Sequence, residues 1–452
     1  MRQLNVVILA AGKGERMVSG KSKVMHEVMG KPMIGHVVER AREIVSSEIV
    51  VVVGFGREKV EPYLNNYGVK CSVQTEQKGT AHALLSAEEF LGRGDVLVLY
   101  GDVPLIETST LEDFVTFSQG AESIAFLTTE VDDPSGYGRV KMEGNEIKEI
   151  VEDADATAEE KAIKEINTGI CIIPEVHLPL LKIIEANNKK GEYYMTDICK
   201  VAGKQGIAVK GRHHPRSAEV LGINSRRELL EANLTMRDRI LYSHMQKGVT
   251  LIGKDVYVES GVSIGKDTTL FPNIYLMGKT TIGENVSIGP NTVIKNSRID
   301  DNVQIEGFTV MEGAVVKEGA IIGPFSRIRP TTVLERKVKL GNFVEVKNST
   351  VGSGSKANHL SYIGDSQIGS GVNIGAGTIT CNYDGKLKHK TVIEDNVFVG
   401  SNTEIVAPVT IGKDAVIGAG TTVTKNVPEG ALAVSRTPQK HVEGYGKRKK
   451  GG

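Results

Sequence analysis

Two hydrophobic rhythms divide the chain near Gly248. From Leu4 to about Asn224, short apolar and β-branched runs (Asn5 to Leu9, Ile49 to Val53, Val96 to Tyr100) alternate with stretches of helical periodicity such as Ile34 to Ile44 and Ala81 to Leu91. This alternation predicts strand–helix–strand units around a mostly parallel sheet. Ligands of such sheets sit outside the carboxyl ends of strands, which directs attention to the loops after Leu9 and Tyr100. Ser225 followed by Glu228 is a capping-box pattern, and Leu230, Leu234, Leu241 and Met245 recur at near-helical spacing until Gly248. One helix is predicted there, linking two domains.

Beyond Gly248 the period becomes six. Ile252, Val258, Ile264, Leu270, Leu276, Ile282, Ile288 and Ile294 form one unbroken series, and Ile393, Val399, Ile405, Ile411, Ile417 and Val423 another. A small or β-branched residue follows four positions after each, as at Val256, Thr268, Thr280 and Thr403. Two inward positions in six fit neither a helix nor an ordinary strand, but they fit a parallel β-helix that turns a corner after each short strand. Roughly ten coils are expected, stacked over about 48 Å. Breaks in the period are expected between Ile294 and Ile299, around Arg329 to Gly341, and at Cys381 to Lys390, and such interruptions usually carry the binding surface. The predicted class is α/β plus all-β: a first domain over residues 1–226, a helical linker over 227–247 and a β-helix domain over 248–452.

Composition narrows the function. The 55 Lys and Arg balance 55 Asp and Glu, and aromatics make up 5%, so neither phosphate neutralisation nor base stacking on a nucleic acid is favoured. The first apolar run, Val6 to Ala11, is far shorter than the roughly 20 residues that span a bilayer, so no signal peptide or transmembrane helix is expected there. Cys71, Cys171, Cys199 and Cys381 lack metal or redox spacing, which points to reduced cysteines in a cytoplasmic protein. The terminal Lys447 to Gly452 reads as a solvated basic tail.

The loop Leu9-Ala10-Ala11-Gly12-Lys13-Gly14-Glu15-Arg16-Met17 leaves a strand through glycines that let backbone amides approach a phosphate, with Lys13 and Arg16 adding charge. It is not a dinucleotide fingerprint, since Met17 stands at the third glycine position, and it lacks the GK[ST] of a hydrolytic P-loop. It resembles the LxxGxGxRM signature of sugar-1-phosphate nucleotidyltransferases. Lys23, the run Gln74 to Ala83 containing Gly79 and Thr80, Tyr100-Gly101-Asp102, Gly136 to Arg139 with Gly138, Glu152, Glu165 to Gly169 with Asn167, and Gly222 to Asn224 extend the match in order. Together they resemble the bifunctional family of N-acetylglucosamine-1-phosphate uridyltransferases that are also glucosamine-1-phosphate acetyltransferases. Two departures stand out: Glu15 where members commonly carry Thr, and Ser22 where they commonly carry Pro. A carboxylate at Glu15 would oppose a triphosphate unless it faces solvent or pairs with Lys13 or Arg16.

The resemblance implies a Rossmann-like nucleotidyltransferase domain and a left-handed parallel β-helix. In the first, Leu9, Ala10, Ala11, Gly12, Lys23, Gln74, Gly79, Thr80, Tyr100, Gly101, Asp102, Gly138, Glu152, Asn167 and Asn224 would bind UTP and the UDP-sugar. Lys23 and Arg16 would neutralise charge in catalysis. Asp102, at the carboxyl end of a buried strand, offers a hard oxygen to Mg²⁺, and the resemblance makes Asn224 its partner. In the second, Asn358 to Tyr362 matches the acetyltransferase motif with His359, outside a corner, as the base. The resemblance assigns Arg329 and Lys347 to the sugar phosphate and Tyr362 and Asn373 to the sugar. It assigns Ala376, Asn382, Tyr383, Ser401, Ala419 and Arg436 to acetyl-coenzyme A, and it implies a homotrimer. One alternative is a monofunctional nucleotidyltransferase on a scaffolding β-helix; another is an inactive assembly protein built on the same folds.

Overall fold

The computed structural model describes residues 3–44, 48–91 and 93–448. The end of the basic tail, residues 449–452, lies outside them; Tyr445–Arg448 forms a single helical turn. The chain forms two compact units that divide after Met236, inside the predicted helix.

The first unit is built on a nine-stranded sheet. Its strands are β1 (Leu4–Ala10), β2 (Ile49–Val53), β3 (Lys70–Val73), β4 (Asp95–Tyr100), β5 (Ile124–Glu130), β6 (Arg139–Glu143), β7 (Glu146–Val151), β8 (Glu165–Ile173) and β9 (Val209–His213). They lie in the order β3-β2-β1-β4-β8-β5-β9-β7-β6. Strands β3, β2, β1 and β4 are parallel, and β8 runs against β4 and β5. Both faces of β1 are buried, which explains why its sequence is a continuous apolar run rather than an alternation. Because the chain moves one way from β1 to β2 and the other way to β4, a crevice opens between the ends of β1 and β4, the two loops singled out by sequence. The helix over Met33–Ile44 forms nearly as predicted, whereas Ala81 to Leu91 splits into a helix Thr80–Leu85 and a 3₁₀ turn Glu88–Phe90.

The linking helix spans Arg226–Gln246, and its capping box is present: Ser225 N–H donates to Glu228 Oε2 at 2.8 Å, and Glu228 N–H to Ser225 Oγ at 3.3 Å. The expected apolar stripe does not pack as a stripe. Leu230, Leu234 and Met245 are exposed, and only Leu241 enters a core. Near its start the helix is held by polar contacts instead, with Asn233 Oδ1 accepting from Met29 N–H at 2.9 Å.

The second unit is a parallel β-helix of three sheets with eleven, ten and nine strands, here the first, second and third sheets. Successive coils pair residues 18 apart, as in Leu270↔Ile288, or 17 apart, as in Ile288↔Ile305. The inward series Val258 to Ile294 and Ile393 to Val423 is buried, but Ile252 is exposed because Leu251, not Ile252, takes the rung above Leu270. Buried threonines at the following position are satisfied by corner carbonyls, for example Thr280 Oγ1 donating to Met277 O at 2.7 Å. No break occurs around Arg329 to Gly341: Ile328, Leu334, Leu340 and Val346 are all buried at an unbroken spacing. The step of five at Ile294 to Ile299 is real, and it recurs from Met311 to Val316, from Val346 to Val351 and from Ile363 to Ile368. At each, the shortened corner turns on one residue in the left-handed conformation: Asn296 (φ 48°), Gly313 (φ 56°), Asn348 (φ 46°) and Asp365 (φ 47°). The interruption after Cys381 is also real, since Ile368 pairs with Ile393, 25 residues on.

At the corner between the first and second sheets, Phe308, Phe325, Phe343 and Leu360 all have positive φ and stack coil upon coil. The rings stack with centroids 4.8 and 5.3 Å apart. All four side chains are exposed.

Candidate active sites

The crevice between β1 and β4 is a cleft of about 510 Å³. Of the residues assigned from sequence to this site, all but Gly101 line it. At its floor Lys23 Nζ bonds both Asp102 Oδ2 and Asn224 Oδ1, the latter at 2.9 Å. Asn224 is oriented by its own Nδ2 donating to Gly222 O at 2.9 Å. Gly14 (φ +68°) lies against the lysine stem, where a Cβ would come within 2.6 Å of Lys23 Cβ, so the loop passes close only because residue 14 is glycine. Gln74 Nε2 donates to Gly79 O at 3.1 Å, and Gln77 Nε2 ties the loop to Ala11 O at 2.9 Å. On the far wall Glu152 accepts from Thr196 Oγ1 at 2.9 Å, and burial raises its carboxyl above the usual range. Gly138 O accepts from Asn167 N–H at 2.8 Å, and Arg139 behind it is buried and paired with Asp153 at 3.0 Å. The cleft therefore presents cations and backbone amides at one end and a carboxylate-lined polar pocket at the other.

The donor set suits a hard cation. Asp102 and Asn224 oxygens already converge on one positive charge, the Lys23 ammonium. Among the described residues no cluster of three or more His, Cys, Asp or Glu side chains could hold a metal by itself. That combination fits Mg²⁺, which typically takes one or two protein oxygens and the rest from phosphates and water.

In the β-helix most of the assigned residues fall on two edges of the second sheet. Along the corner with the first sheet, His359, Ala376, Ser401 and Ala419 each stand two positions after a stacked core residue: Ala357, Ile374, Val399 and Ile417. Gly400 keeps this column open; a Cβ there would meet Ala419 N at 2.5 Å. Arg436 flanks it, with Nη2 3.2 Å from where a Cβ of Gly418 would stand. His359 is exposed, as expected, and its Nδ1 lies 2.8 Å from Asn342 Oδ1 one coil away. An amide oxygen only accepts, so this contact selects, for the neutral imidazole, the tautomer with its proton on Nδ1 and the lone pair on Nε2. Arg329 and Lys347 lie on successive coils at the other edge, beside the third sheet. Arg329 pairs with Glu345 at 2.9 Å. The Lys388 ammonium holds that of Lys347 below the usual lysine range, which marks an anion-seeking cluster. Asn382, at the same edge, donates to Asp365, while Tyr383 is exposed on the inserted loop. Tyr362 pairs with Glu345 in the second sheet, whereas Asn373 belongs to the first, so the structure does not bring those two to one face.

Comparison with known proteins decides between the readings. Residues 6–167 match the MobA-like NTP transferase domain, residues 261–296 the bacterial transferase hexapeptide (six repeats), and residues 390–425 the hexapeptide repeat of succinyl-transferase. The chain is 47% identical over 450 residues to the bifunctional protein GlmU of Thermodesulfovibrio yellowstonii, covering 99% of this chain and 100% of that one. It is 47% identical over 457 residues to the bifunctional protein GlmU of Geotalea uraniireducens, covering 100% of both. The chain belongs to the GlmU family. Its fold is that family's nucleotidyltransferase domain followed by a left-handed β-helix.

Of the two departures from the family pattern, Glu15 is harmless to the cleft: its side chain is 81% exposed and pairs with Lys13 at 3.4 Å. Ser22 is buried with its hydroxyl unpartnered. Sequence reading missed Glu192, Tyr194 and Thr196, which line the cleft from the loop before Ile198–Lys204. It also missed Asn342, detectable as the polar residue 17 positions before His359, and Lys388, hidden in the inserted loop.

Proposed function

We propose that the β-helix acetylates glucosamine 1-phosphate with acetyl-coenzyme A. The α/β unit then transfers the uridylyl group of UTP to the N-acetylglucosamine 1-phosphate, releasing pyrophosphate and UDP-N-acetylglucosamine. The observation that carries the uridylyl half is the convergence of Lys23, Asp102 and Asn224 under a glycine loop at the β1/β4 crevice. For the acetyl half it is the His359 to Ala419 column, a straight track for an elongated coenzyme.

In uridylyl transfer a sugar phosphate oxygen attacks the α-phosphorus, and the bond to pyrophosphate breaks. Lys23, Arg16 and the amides of Ala11 and Gly12 spread the developing charge, while Gln74 and Gly79 face the base and Glu152 and Asn167 the sugar. Asp102 and Asn224 would hold Mg²⁺, whose contribution when bound would be neutralisation of phosphate charge. In acetyl transfer the sugar amine attacks the thioester carbonyl, His359 Nε2 takes the amine proton, and the C–S bond breaks to release coenzyme A. Lys347, Lys388 and Arg329 attract the sugar phosphate.

We place the working enzyme in the cytoplasm as a homotrimer. Two features support assembly: the split of the acetyltransfer residues between two edges, and the exposed Phe308, Phe325, Phe343 and Leu360 ridge continuous with the His359 column. No helix among the described residues is long and apolar enough to cross a membrane, and the four cysteines are free.

The test is a paired assay of thiol release with glucosamine 1-phosphate and pyrophosphate release with the acetylated sugar phosphate. His359→Ala should abolish only the first and Asp102→Ala only the second. Absent thiol release by wild type, with intact pyrophosphate release, would reduce the β-helix to a scaffold.

A further inference from the structure

Lys23 is a cation in the seat where a second cation is expected. Its side chain is only 15% exposed, its stem is pinned beside Gly14, and its ammonium joins the two oxygens assigned above to the metal. The amide of Asn224 and the backbone that carries both oxygens are held in place. Asn224 is fixed through Gly222 O and Glu228, and the backbone of Asp102 accepts from Ile223 N–H at 2.9 Å. The ammonium and a divalent ion compete for this pair of oxygens, because repulsion between two cations within about 4 Å is appreciable even at an intermediate dielectric. Nor can Asp102, 12% exposed, be left without a cation at small cost.

We propose that Lys23 is the resident counter-ion of the nucleotide-free site. It keeps Asp102 and Asn224 neutralised and aligned, excludes the free divalent ion, and yields the seat when nucleotide phosphates capture its ammonium. Metal and nucleotide then enter as one event, and the lysine that guarded the seat becomes a phosphate ligand. This inference rests on the Mg²⁺ role proposed for Asp102 and Asn224.

The test is equilibrium binding of Mn²⁺ to the full-length, nucleotide-free protein, read from the electron paramagnetic resonance signal of the free ion. Lys23→Met should bind Mn²⁺ at least about tenfold more tightly than wild type, Lys23→Arg should bind it as weakly as wild type, and saturating UTP should erase the advantage of the methionine variant. Lys23→Gln serves the same comparison if the methionine variant does not fold. Equal or weaker binding by the neutral variants, or equal tightening in Lys23→Arg, overturns the counter-ion role. Pyrophosphate release by wild type on the same preparation tests uridylyl transfer separately. Release without a shift in Mn²⁺ affinity sinks this inference alone, and an absence of release sinks the catalytic reading while the Mn²⁺ comparison still decides this one.

Discussion

Replacing Ser22 by proline should stabilise the α/β unit, and the structure gives the size of the effect. Ser22 precedes the 3₁₀ turn Lys23–Met25 with φ −52° and ψ 137°, inside the range a pyrrolidine ring imposes. Its side chain makes no cap hydrogen bond, and its hydroxyl is buried without a partner. Its neighbour is Gly56, where a Cβ would approach Ser22 Cβ to 3.1 Å, so the absent methyl leaves room for the ring. An unpaired buried hydroxyl costs about 1–3 kcal/mol, and proline removes a further 0.4–1 kcal/mol of unfolded-state freedom, roughly. Allowing for imperfect ring packing, a net gain of about 1–2 kcal/mol is expected. For a unit of this size that raises Tm by roughly 2–8 °C. Differential scanning calorimetry of the whole protein measures it, following the transition that UTP with Mg²⁺ shifts upward. An unchanged Tm would mean that the hydroxyl carries no cost, and a lowered one that the ring does not fit; either result refutes the reasoning.

Three further expectations follow from buried or oriented polar groups. His36 donates from Nε2 to Val28 O at 2.9 Å, and burial lowers its pKa to about 4. Below about pH 6.5 the unfolded chain therefore takes up a proton that the fold refuses. Stability, fully present above that pH, should decline by about 3 kcal/mol as pH falls to about 4. Urea titrations of wild type and His36→Gln at pH 7 and 4.5 should show a smaller loss in the variant. Glu219, fully buried, accepts from Thr110, from Glu107 N–H at 3.1 Å and from Arg216 at 2.9 Å. Glu219→Ala should cost about 3–5 kcal/mol in guanidinium unfolding of the same unit, far more than an ordinary surface change. Asn342→Ala should lower acetyl-transfer kcat about 10- to 100-fold with KM little changed, and Asn342→Asp should shift the acid limb of the pH–rate profile upward; an unaltered profile in both would remove Asn342 from the mechanism.

The sequence carried the architecture where geometry forces a repeat. Six-residue spacing exposed the β-helix because every coil must bury the same two positions, and the apolar runs of β1, β2 and β4 exposed the parallel sheet because both faces are covered. The cleft was legible because its backbone needs leave glycine and asparagine marks at Gly12, Gly79, Gly138 and Asn167. The rest was hidden for physical reasons. A shortened corner moves the inward positions by a single residue, and in the middle coils, where Met311 and Ala357 stand among them, the five-residue steps after Met311, Val346 and Ile363 passed unread. The linking helix satisfied a helical period with Leu230 and Leu234, but a period reports what could be buried, not whether a neighbour exists to bury it. Asn342 and Lys388 stand beside assigned residues across a coil and a loop, a relation that neighbouring positions in the chain do not display.

Because each coil hydrogen-bonds only to the coils before and after it, the β-helix behaves as a linear polymer of nearly interchangeable parts. The first rungs, such as Leu270↔Ile288, share no contact with the column from His359 to Ala419. Excising one early 18-residue turn would therefore subtract a single interface from the stack and leave the spacing of the distant groups unaltered. Length at that end is a free variable, open to being trimmed or extended, whereas at the far end the same repeat works as a graduated scale, spacing the groups of the column about 4.8 Å apart, the interval on which the proposed coenzyme track depends.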